Sequence, residues 1–220
     1  MESVLAQGWV PCFIFAKNNV MSELPTLAQC SALIRSRRSL KPVDMEPARA
    51  VADEVLAELL ENATWAPTHG LTQPWRFRIF AGGARAGLAA KLQLLYQSAT
   101  PAAEFREDKF AKMGQNPLLA PVIIACSMQR DPSHKIVALE EIEAVACAIQ
   151  NLMLSATAAG LGSFWSSPPV IGHPEFAQWL GLGAEDQCCG LIYLGYAKEG
   201  RQPAAVPRLA VEKVATWASE

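Results

Sequence analysis

The chain has little with which to hold a metal. Its three histidines, His69, His134 and His173, lie far apart, and none of its six cysteines falls in a C-x-x-C pair. Zinc sites draw on closely spaced ligands of these types, so a metal-free protein is expected. Cys126 and Cys147 lie inside apolar segments, where a free thiol packs as a small hydrophobe, and reduced cysteines in a cytoplasmic protein are the reading. A net charge of −2 supplies no field for nucleic acid or for an anionic membrane. There is no G-x-G-x-x-G fingerprint to seat a pyrophosphate, since Gly82-Gly83 lacks the spacing. No Ser-His-Asp or catalytic cysteine constellation is visible, so no protein nucleophile is expected.

Long apolar runs are also scarce. The segment 9–16 (WVPCFIFA) is too short to span a bilayer, is interrupted by Pro11 and has no basic residue before it, so neither a signal peptide nor a spanning helix fits. Residues 1–24 read as an extension of unclear role, with Met21 an alternative start, and residues 25–220 as a single domain. About half of the 220 residues are apolar. That is enough for a sizeable core and suggests further surface buried in an oligomer.

Four segments carry secondary-structure signals. Residues 47–62 (PARAVADEVLAELLEN) place Val51, Val55, Leu56, Leu59 and Leu60 at the spacing of an amphipathic helix. Residues 75–80 (WRFRIF) alternate apolar and basic side chains, as a half-buried strand does. Residues 122–126 (VIIAC) and 190–196 (GLIYLGY) are short apolar runs that read as buried strands. Residues 140–162 begin with acids and end with Gly160 and Gly162, the signature of a helix with a complemented dipole and a left-handed cap. This helix is apolar almost all round from Ala144 to Ala159, so both its faces are expected to be buried, with Ile149 and Leu152 toward a second subunit. Gln150, Asn151, Ser155 and Thr157 at mid-span and the lack of flanking basic residues argue against a membrane. Residues 88–112 carry a helical pattern of mixed charge, expected as a surface flap. Trp75, Tyr193, Tyr196 and the methionines read as core.

The densest chemistry lies in Arg37-Arg38-Ser39-Leu40-Lys41, three cations and a hydroxyl directly after a helical run at 27–35. Arg presents a planar fork to phosphate oxygens, Lys a compact charge and Ser a neutral donor and acceptor. Such a set suits the phosphate and electron-poor ring of a flavin nucleotide. It equally suits a solvated turn at a helix C-terminus, where cations complement the dipole.

The order of motifs resolves the choice. Arg37-Arg38-Ser39-Leu40-Lys41 resembles the R-x-S-x-[RK] motif of the FMN-dependent nitroreductase family, particularly its small single-domain members. Ala66-Pro67-Thr68-His69 with Gln73-Pro74-Trp75 is similar to the family's A-P-[SD]-[SH]…Q-P-W segment. Residues 148–162 are similar to its long central helix, and Phe164-Trp165-Ser166-Ser167 stands where the family has a flavin-contacting loop. His134-Lys135-Ile136 matches an H-K-[IV] of the small subgroup, and Pro207-Arg208 with Val214 and Trp217 matches the family's terminal motif.

The resemblance implies an α+β sandwich of helices around a mainly antiparallel sheet, in an intertwined homodimer with a central interface helix and two FMN sites. It implies that Arg37, Ser39 and Arg208 hold the FMN phosphate and ribityl chain, with Arg38 and Lys41 nearer the ring. Trp65, Pro67, Thr68, His69 and Gln73 would border the flavin from the other subunit, and Trp165, Ser166 and Ser167 would pass its N5 edge. Trp65 and Ser166 stand where relatives can carry arginine, which bears on substrate choice. The implied activity is ping-pong transfer of two electrons from NADH or NADPH to a small planar acceptor, a nitroaromatic or quinone. The alternatives are a non-redox FMN-binding protein for storage or sensing, and a specialised reaction on the same fold, such as dehalogenation or flavin-ring cleavage.

Overall fold

A computed structural model describes residues 24–203 and 206–218, so the 1–24 extension and the Met21 start lie almost wholly outside the described residues. The scaffold is a four-stranded sheet in the order β1-β2-β4-β3, built from β1 (Trp75–Ala81), β2 (Val122–Met128), β3 (Gly162–Ser166) and β4 (Gln187–Gly195). Every pairing is antiparallel, with Trp75 opposite Met128, Val122 opposite Leu194 and Gly162 opposite Gly195. All seven residues of β2 are buried, which explains why VIIAC is a continuous apolar run and not an alternating one. The expected α+β class with an antiparallel sheet is the one observed.

Helices cover both faces. The helix α1 (Leu27–Ser36) starts with a capping box between Thr26 and Gln29. On one side of the sheet lie α2 (Asp53–Thr64) and α5 (Ala138–Ala158), whose Leu56, Leu59, Ala148, Ile149 and Leu152 share a core with Ile124, Ile192 and Leu194. On the other side lie α3 (Ala84–Ala99), α4 (Glu107–Gln115) and α6 (Pro174–Trp179), gathered around Leu88, Leu92, Leu95, Phe176 and Tyr193. Alternate residues of β4 serve the two cores in turn, Leu191 and Tyr193 one and Ile192 and Leu194 the other. Each such buried side chain contributes about 1.5–3 kcal/mol.

Several expectations need correction. Ile149 and Leu152 do not face a second subunit: both are fully buried in the core of their own chain. The helix α5 lays its i, i+3, i+4 ridge (Val145, Ala148, Ile149, Leu152, Ala156) on the sheet and leaves Glu143, Cys147 and Gln150 exposed. Cys147 is therefore an exposed thiol and no part of the packing, unlike Cys126. The region 88–112 is not a flap, because α3 sends Leu88, Leu92, Leu95 and Tyr96 into the core. The 47–62 helix begins only at Asp53, and β3 forms where a helix end and a loop were expected. Tyr196 is only half-buried, with the Arg49 guanidinium 3.5 Å from its ring centre. The left-handed cap at Gly160 is present, at φ +75°.

The start of α5 is fixed by a buried charge pair. Glu141 is fully enclosed, and its carboxylate meets the Arg130 guanidinium and accepts from Asp131 N–H at 3.0 Å. Removing either charge would strand the other in the interior, at a cost of about 3–5 kcal/mol. Among the described residues, no helix is long and apolar enough to cross a membrane.

Candidate functional site

The cationic segment owes its shape to Leu40. The helix α1 ends at Arg37, whose N–H still bonds Leu33 O at 3.3 Å while its backbone has turned extended. Leu40 then buries its side chain over Gly162, where a Cβ would collide with it, and donates its N–H to Ser163 O at 2.9 Å. In an extended segment the neighbours of a buried residue point the other way, and Ser39 and Lys41 are exposed. Pro42 opens a 3-10 turn (Pro42–Asp44) that swings the chain away after Lys41. A single bridge between Ser39 and Ser163 thereby docks the segment against β3.

A cavity of about 490 Å³ opens on this segment, lined by Arg37, Arg38, Ser39, Lys41 and Asp44, with Gln202, Val206 and Arg208 arriving from the far end of the chain. Its volume lies in the range of small-molecule sites. The donors differ in how free they are. Arg38 turns one guanidinium nitrogen back onto the carbonyls of Arg35 and Arg37, capping α1, and so has fewer donors to offer than Arg37. Arg208 donates once, to Val206 O at 3.2 Å. The side chains of Arg37 and Lys41 have no hydrogen-bond partner among the described residues. Beside Ser39, the hydroxyl of Ser163 is 1 % exposed and is the one buried side-chain polar atom without a partner among the described residues. Such a group is a candidate for a water or a bound ligand atom.

The second expected group lies elsewhere and does not line this cavity. Trp65 ends α2 with its ring 78 % exposed and its indole N–H on Glu61 at 3.3 Å. Pro67 is exposed, and the Thr68 hydroxyl meets the Thr72 hydroxyl at 3.2 Å and accepts from Gln73 N–H at 3.1 Å. His69 pairs with Glu140 at the start of α5. The turn is bent through left-handed backbone at Gly70 (φ +60°), Leu71 (+55°) and Gln73 (+46°). For the two non-glycines this costs roughly 1–2 kcal/mol each.

Trp165, Ser166 and Ser167 form a third place, on and just after β3 and outside the cavity lining. The indole of Trp165 lies over the bare Cα of Gly190, where a Cβ would strike it, and donates to Cys189 O at 3.2 Å. Burial pushes the neighbouring Cys189 thiol up to about 11, so it stays protonated at neutral pH.

The structure thus joins Arg37, Arg38, Ser39, Lys41 and Arg208 and leaves the Trp65–Gln73 and Trp165–Ser167 groups apart from them. Sequence reasoning missed Asp44 and Gln202 in the lining. Asp44, three residues after Lys41, was visible as an acid beside the cations. Gln202 carries no local signal.

Known proteins are similar to this chain in sequence and in fold. The model of the family described as the nitroreductase family matches residues 34–196. A protein of Escherichia coli (strain K12) named "Putative NAD(P)H nitroreductase YdjA" is 30% identical over 164 residues, covering 74% of this chain and 85% of its own length. The crystal structure of a nitroreductase-like family protein from Bacillus cereus superposes with a TM-score of 0.74 at 27% identity, over 90% of this chain and 100% of the other. The FMN-dependent nitroreductase NfnB of Mycobacterium smegmatis, solved in complex with NADPH, shares the fold with a TM-score of 0.69 at 19% identity, covering 88% of this chain and 100% of its own.

Proposed function

The chain belongs to the nitroreductase family, and on that premise we propose that it is an FMN-dependent oxidoreductase. It takes electrons from NADH or NADPH and reduces small planar acceptors, nitroaromatics or quinones, in a ping-pong sequence. The observation that carries this reading is the cavity whose lining joins Arg37, Ser39 and Lys41 to Arg208. Its donor set fits a phosphate monoester: two guanidinium forks and a hydroxyl, with Arg37 unengaged among the described residues and the Lys41 ammonium left over for the rest of the ligand.

In this reading Arg37, Ser39 and Arg208 hold the FMN phosphate, and Arg38 adds positive potential from its cap. Lys41 supplies a positive charge against the negative charge that reduction brings. Bound FMN supplies the two-electron chemistry. Trp165, Ser166 and Ser167 offer backbone N–H groups to it. Trp65, Pro67, Thr68, His69 and Gln73 serve the flavin of a second copy in a homodimer. The support for a second copy is apolar surface left bare in the single chain: Trp65, Leu71, Leu209, Val214 and Trp217 are all exposed, Trp217 by 94 %.

The purified protein is expected to be yellow and to release FMN, not FAD, on heating. Anaerobic NADH or NADPH should bleach the bound flavin. A colourless protein that takes up no FMN would refute the reading. Flavin that binds but does not bleach with either nucleotide would make this a non-redox FMN-binding protein.

A further inference from the structure

We infer that Asp44 is the residue that recognises the hydroxyl-bearing part of the ligand in the cationic cavity; this rests on the proposed FMN site. Of the polar side chains lining that cavity, Arg37, Arg38, Lys41 and Arg208 can only donate, Ser39 and Gln202 can do both, and Asp44 alone can only accept. Four of the carbonyls nearby are already engaged. Arg35 O and Arg37 O accept from Arg38, Val206 O from Arg208, and Lys41 O from Asp44 N–H at 2.9 Å.

The Asp44 carboxylate has no hydrogen-bond donor of its own among the described residues. Its one ion-pair partner among the described residues is Arg201, at 3.6 Å, too long for a hydrogen bond, and its side chain is 29 % exposed. A half-enclosed carboxylate without a donor calls for a ligand that brings O–H groups. The surrounding cations call for one that brings anionic oxygens. A phosphorylated polyol has both, and the ribityl phosphate of FMN is one.

The two halves of such a ligand meet Asp44 with opposite signs. A hydroxyl donates to the carboxylate and is held by it, whereas a phosphate in the same cavity is repelled. Asp44 therefore lends the site selectivity for a polyol phosphate over a bare phosphate. Without it, the four cations would make a general anion trap.

The test is equilibrium binding of riboflavin and FMN to flavin-stripped protein, followed by flavin fluorescence, with inorganic phosphate as a competitor of FMN. In Asp44→Ala riboflavin should bind roughly 10-fold more weakly, the scale of a lost charge-assisted hydrogen bond. FMN should weaken less, since its phosphate gains what the ribityl chain loses. Asp44→Asn keeps an acceptor oxygen and removes the charge. Riboflavin should there weaken by only about threefold, since a neutral acceptor keeps about half the strength of a charged one, and inorganic phosphate should compete better. Unchanged riboflavin affinity in Asp44→Ala, or unchanged phosphate competition in Asp44→Asn, would overturn the inference. So would an Arg201→Ala variant that reproduces the riboflavin loss, because Asp44 would then act only by holding Arg201. Wild-type protein that binds neither flavin would refute the proposed function and this role with it. Flavin binding that ignores both Asp44 variants would refute the role alone.

Discussion

The Arg37–Lys41 segment and the Trp65–Gln73 turn carry motifs assigned to the same ligand, yet they are built in opposite ways. The first is relaxed backbone around one buried anchor, Leu40, and it shares its cavity with Arg208 of the same chain. The second is held in left-handed backbone at Leu71 and Gln73 and turns Trp65 and Leu71 outward with nothing upon them. A segment that gathers its like charges within one chain can be completed by a small anionic ligand. A strained turn with a bare indole is organised for something larger, and a second copy of the chain supplies it in the homodimer proposed here.

The largest expected effect cannot separate the two regions. Leu152→Asp would put an unpaired carboxylate among the core side chains of α5, at a cost of several kcal/mol. It should unfold the chain outright, with no folded monomer in sedimentation and no cooperative melt. Trp65→Asp is the sharper probe. It charges the exposed turn and leaves the core intact, so the melting of the single chain should barely change. If the turn docks on a second copy, assembly and flavin retention should fall together by about 100-fold or more. Sedimentation with flavin absorbance reads both, and a Trp65→Asp dimer that keeps its FMN would place the turn outside the interface.

Arg37→Ala acts on the other region alone. The FMN dissociation constant should rise by roughly 10- to 100-fold, the worth of a charge-assisted hydrogen bond, while the assembly persists. Lys41→Met should leave affinity nearly unchanged and lower the reduction potential of the FMN-saturated protein, by roughly 30 mV for each tenfold preference lost. An unchanged potential would remove Lys41 from the ring. The smallest effect tests the strain itself. Gln73→Gly should stabilise the fold by about 0.5–1 kcal/mol, raising the melting temperature by roughly 1–4 °C, because glycine meets no penalty at φ +46°. A lower melting temperature would mean that the Gln73 side chain does more for the turn than its backbone takes away.

How much of this was legible in the sequence follows from how far apart the cooperating residues lie. Arg37 to Lys41 are neighbours, so their shared chemistry could be read directly, and the family pattern added Arg208. The central strands VIIAC and GLIYLGY announced themselves because burial on both faces leaves an apolar run. The strand β3 did not: GSFWS is short, opens on a glycine, and exists only because β4 pairs with it from Leu191 to Gly195. The role of α3 was in plain view, in Leu88, Leu92 and Leu95 at helical spacing, and the mixed charges around them hid it. For α5, composition said that most faces were apolar, but only the packing shows that Ile149 and Leu152 belong to their own core and Cys147 to the surface. Asp44 went unnoticed because an acid beside cations reads first as their counter-ion.

The indole of Trp165 resting on the bare Cα of Gly190 has a consequence for how this protein can vary. Alanine at 190 is tolerable only if a smaller residue already stands at 165. A smaller residue at 165 forfeits the bond to Cys189 O and opens a gap above the glycine. Each single step leads through a worse molecule, so the two positions form one heritable unit. A library that randomises them separately would discard both as intolerant, and only paired sampling would reveal the alternatives.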